Sequence, residues 1–383
     1  MARNLALLTL ALLLVLAMAA CGDDDAGTPT EPTRPVSQPA PTAAPAPTAA
    51  PAPTPIPPDA NNELVIMSHD SFNIGEDVIA AFEAANDATV VLLPAGDTGL
   101  ALNRAILEKG NPSADLFYGV DNTYLGRALA EGIFVPYESP GLANVPEQFI
   151  MDPSFHVTPI DYGYVNLNYD KAFLEAEGLQ PPSSLEELTE SQWKGSLVVE
   201  NPATSSPGLA FLIATVSYFG EDDDYDYLDY WADLRANDVA ITDGWSDAYY
   251  TNFTKYGGDQ PLVVSYATSP AAEFFFSETP LDDAPTGNIL LDRSVFLQIE
   301  GMGVLLGADS PNLARKFIDF ALDLQFQEDF PDKMFVYPVN RNATLPDFWR
   351  FAEEPAVPAD IGPAEIGEKR EAWIEAWTQV MLR

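Results

Sequence analysis

From about residue 61 onward, short apolar runs alternate with stretches of helical spacing. Leu64-Val65-Ile66-Met67 is predicted as a strand, and Glu76 to Ala85 as a helix that places Val78, Ile79, Phe82 and Ala85 on one face. Val90 to Leu93 reads as a second, buried-type strand, Leu100 to Glu108 as a helix, and Ala114 to Val120 as a third strand. The alternation resumes with strands at Leu197–Val199, Val239–Ile241 and Leu262–Ser265 and a long apolar strand at Phe296–Gly307. Helices are predicted at Gly208–Phe219, around Ser246–Phe253, at Asn312–Leu324 and at Glu365–Leu382. Strands that alternate with helices imply an α/β fold built on parallel sheets. Two such groups, joined by extended segments at Asp161–Tyr169 and Gln298–Val304, imply two lobes with a ligand cleft between them.

Before residue 61 the pattern is different. Arg3 precedes an apolar run, Leu5 to Met18, that is too short for an ordinary membrane span. The string Met18-Ala19-Ala20-Cys21-Gly22 resembles the lipobox of a bacterial lipoprotein. That resemblance implies a signal peptide over residues 1–20, cleavage before Cys21 and a diacylglycerol on its thiol; the alternative is an ordinary signal peptide with an unrelated cysteine. Residues 21–60 read as a Pro/Ala/Thr-rich tether, with twelve of the 34 prolines between Pro29 and Pro58. The expected organisation is then one lobe from residues 61–160 and 298–383 and another from 161–297. The expected location is the extracytoplasmic face of the cell membrane, periplasmic or cell-surface, held through the lipid alone.

Charge narrows the partners. Lys and Arg number 18 against 58 Asp and Glu, a net charge of -40 that repels nucleic acid and favours cationic small molecules. One cysteine precludes an intramolecular disulfide framework or a Cys-based zinc site, and His69 and His156 are the only histidines. No cofactor, metal or enzymatic activity is expected, and the protein is expected to act as a monomer. In such sheets ligands sit beyond the carboxyl ends of the strands. There the chain carries His69-Asp70-Ser71-Phe72, Gly96-Asp97-Thr98-Gly99, Asp121-Asn122, Thr204-Ser205-Ser206-Pro207-Gly208, Gly244-Trp245-Ser246 and Tyr266-Ala267-Thr268-Ser269-Pro270. Carboxylates, small hydroxyls at helix starts and aromatic rings suit a flat, cationic, perhaps phosphorylated ligand. A histidine-backed serine, a Walker loop and a dinucleotide fingerprint are absent from these strings.

These strings, with Leu102-Asn103-Arg104, Asp161-Tyr162-Gly163-Tyr164, Ser246-Asp247-Ala248-Tyr249 and Tyr337-Pro338-Val339, lie in order along the folded region. The whole region resembles the thiamine-binding proteins of bacterial ABC transporters. The resemblance implies a type II periplasmic-binding-protein fold and delivery of thiamine, with or without its phosphates, to permease subunits. It puts Asp97 where a carboxylate meets the amino-bearing cation, and Ser205, with Ser206, where hydroxyls meet the phosphate or hydroxyethyl end. It makes Trp245 and Tyr266 cleft aromatics, and adds Asp70, Tyr249 and Ser269 as neighbouring contacts. It also marks departures: His69 and Ala272 stand where the family has stacking tyrosines, and Phe335 where it has a tryptophan.

Each candidate has an ordinary alternative. Asp97 also suits a helix cap, Ser205 and Ser206 an N-cap followed by an early proline, and Trp245 a core position. Tyr249-Tyr250 also reads as one core and one surface residue, Asp222–Asp226 as a solvated acidic loop, and Trp373 and Trp377 as packing. Rival functions are a ferric-ion binder using Tyr249-Tyr250, a polyamine binder, a hydrolase drawing on Asp70, Asp97 and Asp121, and an adhesive surface lipoprotein.

Overall fold

The computed structural model describes residues 57–222 and 224–383. The expected signal peptide, Cys21 and most of the expected tether lie outside the described residues. At the tether's end, the Asn312 side chain donates to the Pro57 carbonyl (3.0 Å), and the Ala60 N–H donates to Asp309 O (2.8 Å).

Among the described residues the frame is one sheet of eleven strands. In chain order they are β1 (Glu63–Ser68), β2 (Thr89–Pro94), β3 (Leu116–Asp121), β4 (Phe134–Val135), β5 (Thr158–Asp170), β6 (Leu197–Glu200), β7 (Ala240–Thr242), β8 (Leu262–Tyr266), β9 (Thr286–Ile289), β10 (Phe296–Leu305) and β11 (Tyr337–Pro338). The main path across the sheet is β2-β1-β3-β10-β5-β8-β6-β7; β4 pairs with β10, and β9 and β11 pair with β5. At one side β1 runs parallel to β2 and β3, and at the other β6 runs parallel to β7 and β8. The helices Glu76–Asn86 and Thr98–Leu107 make the crossovers on the first side, and Ser206–Phe219 with Tyr227–Ala236 on the second.

Between the two sides lie β5 and β10, antiparallel to each other and to their outer neighbours β8 and β3. The sheet is therefore mixed, not parallel as the alternation alone suggested. The two segments expected to cross between lobes are these two strands. A crossover strand has to traverse the whole molecule, and a run of nearly unbroken burial along β10 allows that.

Other expectations change in detail. The β2 strand is an edge strand, with Val91 and Leu92 more than a third exposed, although its apolar run reads as buried. Around Ser246–Phe253 there is one short helical turn, Trp245–Asp247, followed by a π-helical turn, Ala248–Asn252. The helix expected at Asn312–Leu324 ends at Ala321, and a new turn starts at Leu324. Tyr227–Ala236 escapes a reading by apolar spacing because its start is acidic. In fact Asp226, read as loop, is its N-cap, joined to Asp229 in a reciprocal capping box.

The helix Ser206–Phe219 is apolar all round and buried accordingly. The C-terminal helix Pro363–Met381 packs on both Leu125–Glu131 and Tyr227–Ala236, so it touches elements from both sides of the sheet. Trp373 and Trp377 are buried on it, and Trp377 meets Trp231 edge to face at 5.7 Å.

Where the crossover strands pair, Glu300 sits opposite Asp161, and both are buried. The Tyr118 hydroxyl donates to Asp161 Oδ2 (2.8 Å) and lies 3.4 Å from Glu300 Oε2. Burial raises both carboxyls above the ordinary range; repulsion from Asp161 adds to the rise at Glu300, while the hydrogen bond from Tyr118 works against it at Asp161. The folded state therefore holds protons that an unfolded chain has released, so this contribution to stability is lost as pH rises from the unfolded values toward the folded ones. His69 has the opposite sign: burial lowers it to about 4, so its effect is confined below its ordinary value of 6.5.

Two outcomes follow from this packing. The thermal midpoint should fall between about pH 7 and about pH 9, and Glu300→Gln should flatten that fall; an equally steep fall in the variant would place the protons elsewhere. Trp231 is buried, donates from Nε1 to Thr215 Oγ1 (2.9 Å) and holds Phe211 and Trp377 edge-on. Trp231→Ala should destabilise the fold by about 3–5 kcal/mol, read by denaturant unfolding.

Candidate functional site

The strand ends converge on one cavity of about 360 Å³. His69, Asp70 and Ser71 reach it from the turn after β1, Asp97 from the turn after β2, and Trp245 from the turn after β7. Tyr266 closes β8, Ser269 opens the helix Ser269–Phe275, and Glu300 faces the cavity from β10. Nine of the ten ligand-contact candidates, Asp97, Trp245, Tyr266, His69, Asp70, Ser206, Tyr249, Ser269 and Phe335, line this wall. Ser205 is fully buried and does not.

Asp97 holds two positions at once. Its Oδ1 accepts from the Thr98 N–H (2.7 Å) and caps the helix Thr98–Leu107, while Oδ2 accepts from the Trp245 N–H (3.0 Å) in the turn after β7. Desolvation raises its pKa, and the two backbone donors work against that rise. A Cβ at position 244 would come within 3.2 Å of Oδ2, so Gly244 lets the carboxylate approach. Beside it the Gly99 N–H donates to Thr204 O (3.0 Å), and a Cβ at 99 would fall 2.6 Å from that oxygen. Asp97 is therefore both the cap and a tie between the turns after β2 and β7.

At the start of Ser206–Phe219 the hydroxyls are already engaged. Ser205 Oγ accepts from the Gly208 N–H (3.5 Å), which makes it the N-cap. Ser206 Oγ donates to Asp121 Oδ2 and accepts from Gln298 Nε2 (3.2 Å). Asp121 also accepts from Thr123 and from the Tyr124 N–H, so it is a structural carboxylate and not a free acid or base. The hydrolase reading loses that residue.

The aromatic wall is continuous. Trp245 stacks on Tyr249 (5.0 Å, 22°), with Tyr250 edge-on to both, and its Nε1 donates to Ser265 Oγ (2.9 Å), which in turn meets Ser269 Oγ (2.9 Å). The Tyr266 hydroxyl donates to Gln298 Oε1 (3.0 Å). Tyr249 is buried and Tyr250 half exposed, as one core and one surface residue, although both face the cavity. The hydroxyls of Tyr249 (2.9 Å) and Tyr256 (2.7 Å) donate to Glu273 Oε1, and burial and this carboxylate push both phenols up, the reverse of what a ferric tyrosinate needs. Among the described residues no group of three or more His, Cys, Asp or Glu is placed to hold a metal ion.

The departures from the family pattern have structural counterparts. His69 packs against Tyr118 with its Nε2 3.6 Å from Glu300 Oε1, and burial keeps the ring neutral. Gly119, at φ +105, accommodates it: a Cβ there would meet the imidazole Cδ2 at 2.7 Å. Phe335 takes a left-handed backbone (φ 54), a strained conformation for a bulky residue, and joins Phe275, Phe276 and Phe348 at one edge of the cavity. Glu273, Glu300, Tyr256 and Phe276 also line the cavity and escaped the reading by strand ends. Glu300 did carry a signal, a carboxylate in the middle of the apolar run Phe296–Leu305. Glu273 carried none, because it lies on a short helix three residues past Pro270.

The architecture and the cleft agree with what the chain is similar to. Residues 111–354 match a family model described as bacterial extracellular solute-binding protein. The thiamine-binding periplasmic protein of Escherichia coli K12 is 34% identical over 328 residues, covering 84% of this chain and 94% of that one. That of Brucella abortus biovar 1 is 32% identical over 334 residues, covering 85% and 93%. A solved periplasmic thiamin binding protein superposes with a TM-score of 0.73 at 32% identity, covering 84% and 96%. The chain therefore belongs to the bacterial extracellular solute-binding proteins, a family of solute carriers and not of enzymes, and has the two-lobed type II periplasmic-binding-protein fold.

Proposed function

We propose that this protein captures thiamine outside the cytoplasmic membrane and hands it to the permease of an ABC transporter. The observation that carries the reading is the cavity itself: carboxylates and stacked aromatic rings interleaved around one space, in a chain whose relatives are named for thiamine. In this reading the lobes, residues 61–160 with 298–383 and residues 161–297, move about β5 and β10. A cationic ring between Trp245, Tyr266 and Phe335 gains about 0.5–2 kcal/mol from each face it meets. Asp97 accepts from the ligand's amino group and offsets its charge. Asp70, Ser269 and Tyr249 complete the wall, and His69 contributes a neutral ring where a charged one would repel the cation. Ser205 supports this wall from behind, as the cap that holds Ser206 in place. Cys21 carries the lipid anchor, and the protein works as a monomer on the outer face of the membrane.

The decisive measurement is calorimetric titration with thiamine. Asp97→Asn should weaken binding by about 1.5–3 kcal/mol, as for a hydrogen bond to a charged group, because an amide oxygen keeps the cap but lacks the charge. An unchanged dissociation constant would leave Asp97 as a cap alone. For the anchor, Cys21→Ser should release the protein from the membrane fraction and remove the lipid mass from the intact-protein spectrum. Retention of the variant on the membrane would rule out the lipid at Cys21.

A further inference from the structure

Strands buried on both faces ordinarily carry no ionisable group, yet Glu300 stands in the middle of β10 and lines the cavity. Asp161 is its direct partner on β5, and the Tyr118 hydroxyl on β3 lies 2.8 Å from Asp161 and 3.4 Å from Glu300. One phenol hydrogen cannot serve both carboxyls. Asp161 Oδ1 is buried without a hydrogen-bond partner, as is His69 Nε2, 3.6 Å from Glu300 Oε1. Two carboxyls side by side and away from water remain in the fold by keeping protons, which belong to the pair and not to either residue alone.

The groups that face Glu300 supply no positive charge. They are Asp161 from β5, Tyr118 and Asp121 from β3, His69 from the turn after β1, Asp97 from the turn after β2 and Tyr266 from β8. Burial keeps the His69 ring neutral, and Lys333 stands on the exposed edge of the cavity. Burial first, and then the carboxylates of Asp161, Asp121 and Asp97, hold the Glu300 carboxyl well above its ordinary range. A permanently charged ring brought against this wall changes the balance. It cannot shed its charge, and in a dry cleft a fixed charge without a counter-charge is costly. An ionised carboxyl beside it removes that cost for both, and Glu300 is the member of the pair that lines the cavity.

We propose that capture of a cationic ring releases one proton from the Asp161–Glu300 pair, which makes Glu300 the counter-ion of the bound ligand. The O–H bond of one carboxyl breaks, its proton passes to the solvent, and the carboxylate that remains is neutralised by the fixed charge of the ligand. The coupling rests on the thiamine reading above and adds to it a second carboxylate, beside Asp97, that answers the positive ring. It also gives the cleft a preference. A neutral molecule of the same shape leaves the pair protonated and gains nothing from it.

The test is calorimetric titration of the intact protein with thiamine near pH 7 in buffers of different ionisation enthalpy, which counts the protons released. The wild type should release between about half a proton and about one per thiamine bound, and its dissociation constant should fall about threefold or more per pH unit between about pH 6.5 and about pH 8. The isostere of thiamine with an uncharged thiophene ring should bind without release. Glu300→Gln, checked for folding by circular dichroism, should lose the release and the pH slope together and bind thiamine about tenfold or more weakly. Thiamine binding without proton release in the wild type would overturn the coupling while leaving the thiamine reading intact. Release that survives in Glu300→Gln and disappears in Asp97→Asn would place the proton on Asp97 and overturn the role given to the pair. Equal release with the uncharged isostere would overturn the part assigned to the ligand's charge. Failure of thiamine to bind would overturn the thiamine reading and the coupling with it.

Discussion

The antiparallel pairing of β5 with β10 is the contact on which the rest of the molecule depends. These two strands join both sides of the sheet, so they must be buried along almost their whole length. Any charged residue on them is cut off from water. Asp161 and Glu300 are such residues, facing each other across the pair, and with no cation beside them they remain in the fold by holding protons and by using the Tyr118 hydroxyl. The polar groups at the base of the cleft, Gln298 with Tyr266 and Ser206, are set by the same register. The two central strands of the sheet thus also form the base of the site.

That arrangement gives the cleft its electrostatic character. Net charge alone makes the whole protein acidic, but charges on an exposed surface are screened over about 8 Å at physiological salt. Cleft carboxyls are screened less where protein replaces solvent around them, as it does around Glu273 and Glu300. Asp97 shows the consequence most clearly. One oxygen is fixed by its own helix and the other by the backbone of Trp245, so the carboxylate is oriented by groups from both sides of the cleft. A carboxylate held in this way needs little reorganisation to meet a cation.

The aromatic lining follows a second logic. Around His69, Ala272 and Phe335, the positions that the resemblance marks as altered, the wall is still aromatic. Tyr249, Tyr250 and Tyr256 pack around Trp245, Glu273 ties two of their hydroxyls together, and Phe275 and Phe276 meet Phe335 at the rim.

The elements themselves were legible in the chain, because local spacing carries them: the apolar runs of β1, β3, β6, β8 and β10, the helical spacing of Glu76–Asn86 and Thr98–Leu107, and the all-apolar Ser206–Phe219. The turns after the strands were legible too, so His69, Asp97, Ser206, Trp245 and Tyr266 were identified as neighbours before any of them was placed. Pairing direction and edge position were not, since both depend on hydrogen bonds between strands distant in sequence; β2 reads as buried and is an edge, and the sheet is mixed. Nor could the spacing reveal that Asp97 bonds the backbone of Trp245, that Glu273 accepts from two tyrosines, or that Glu200 and Asp121 meet at one helix start. Secondary structure follows from interactions within a few residues. The charge around a ligand site follows from which distant carboxyls share one volume without water, and only the folded chain decides that.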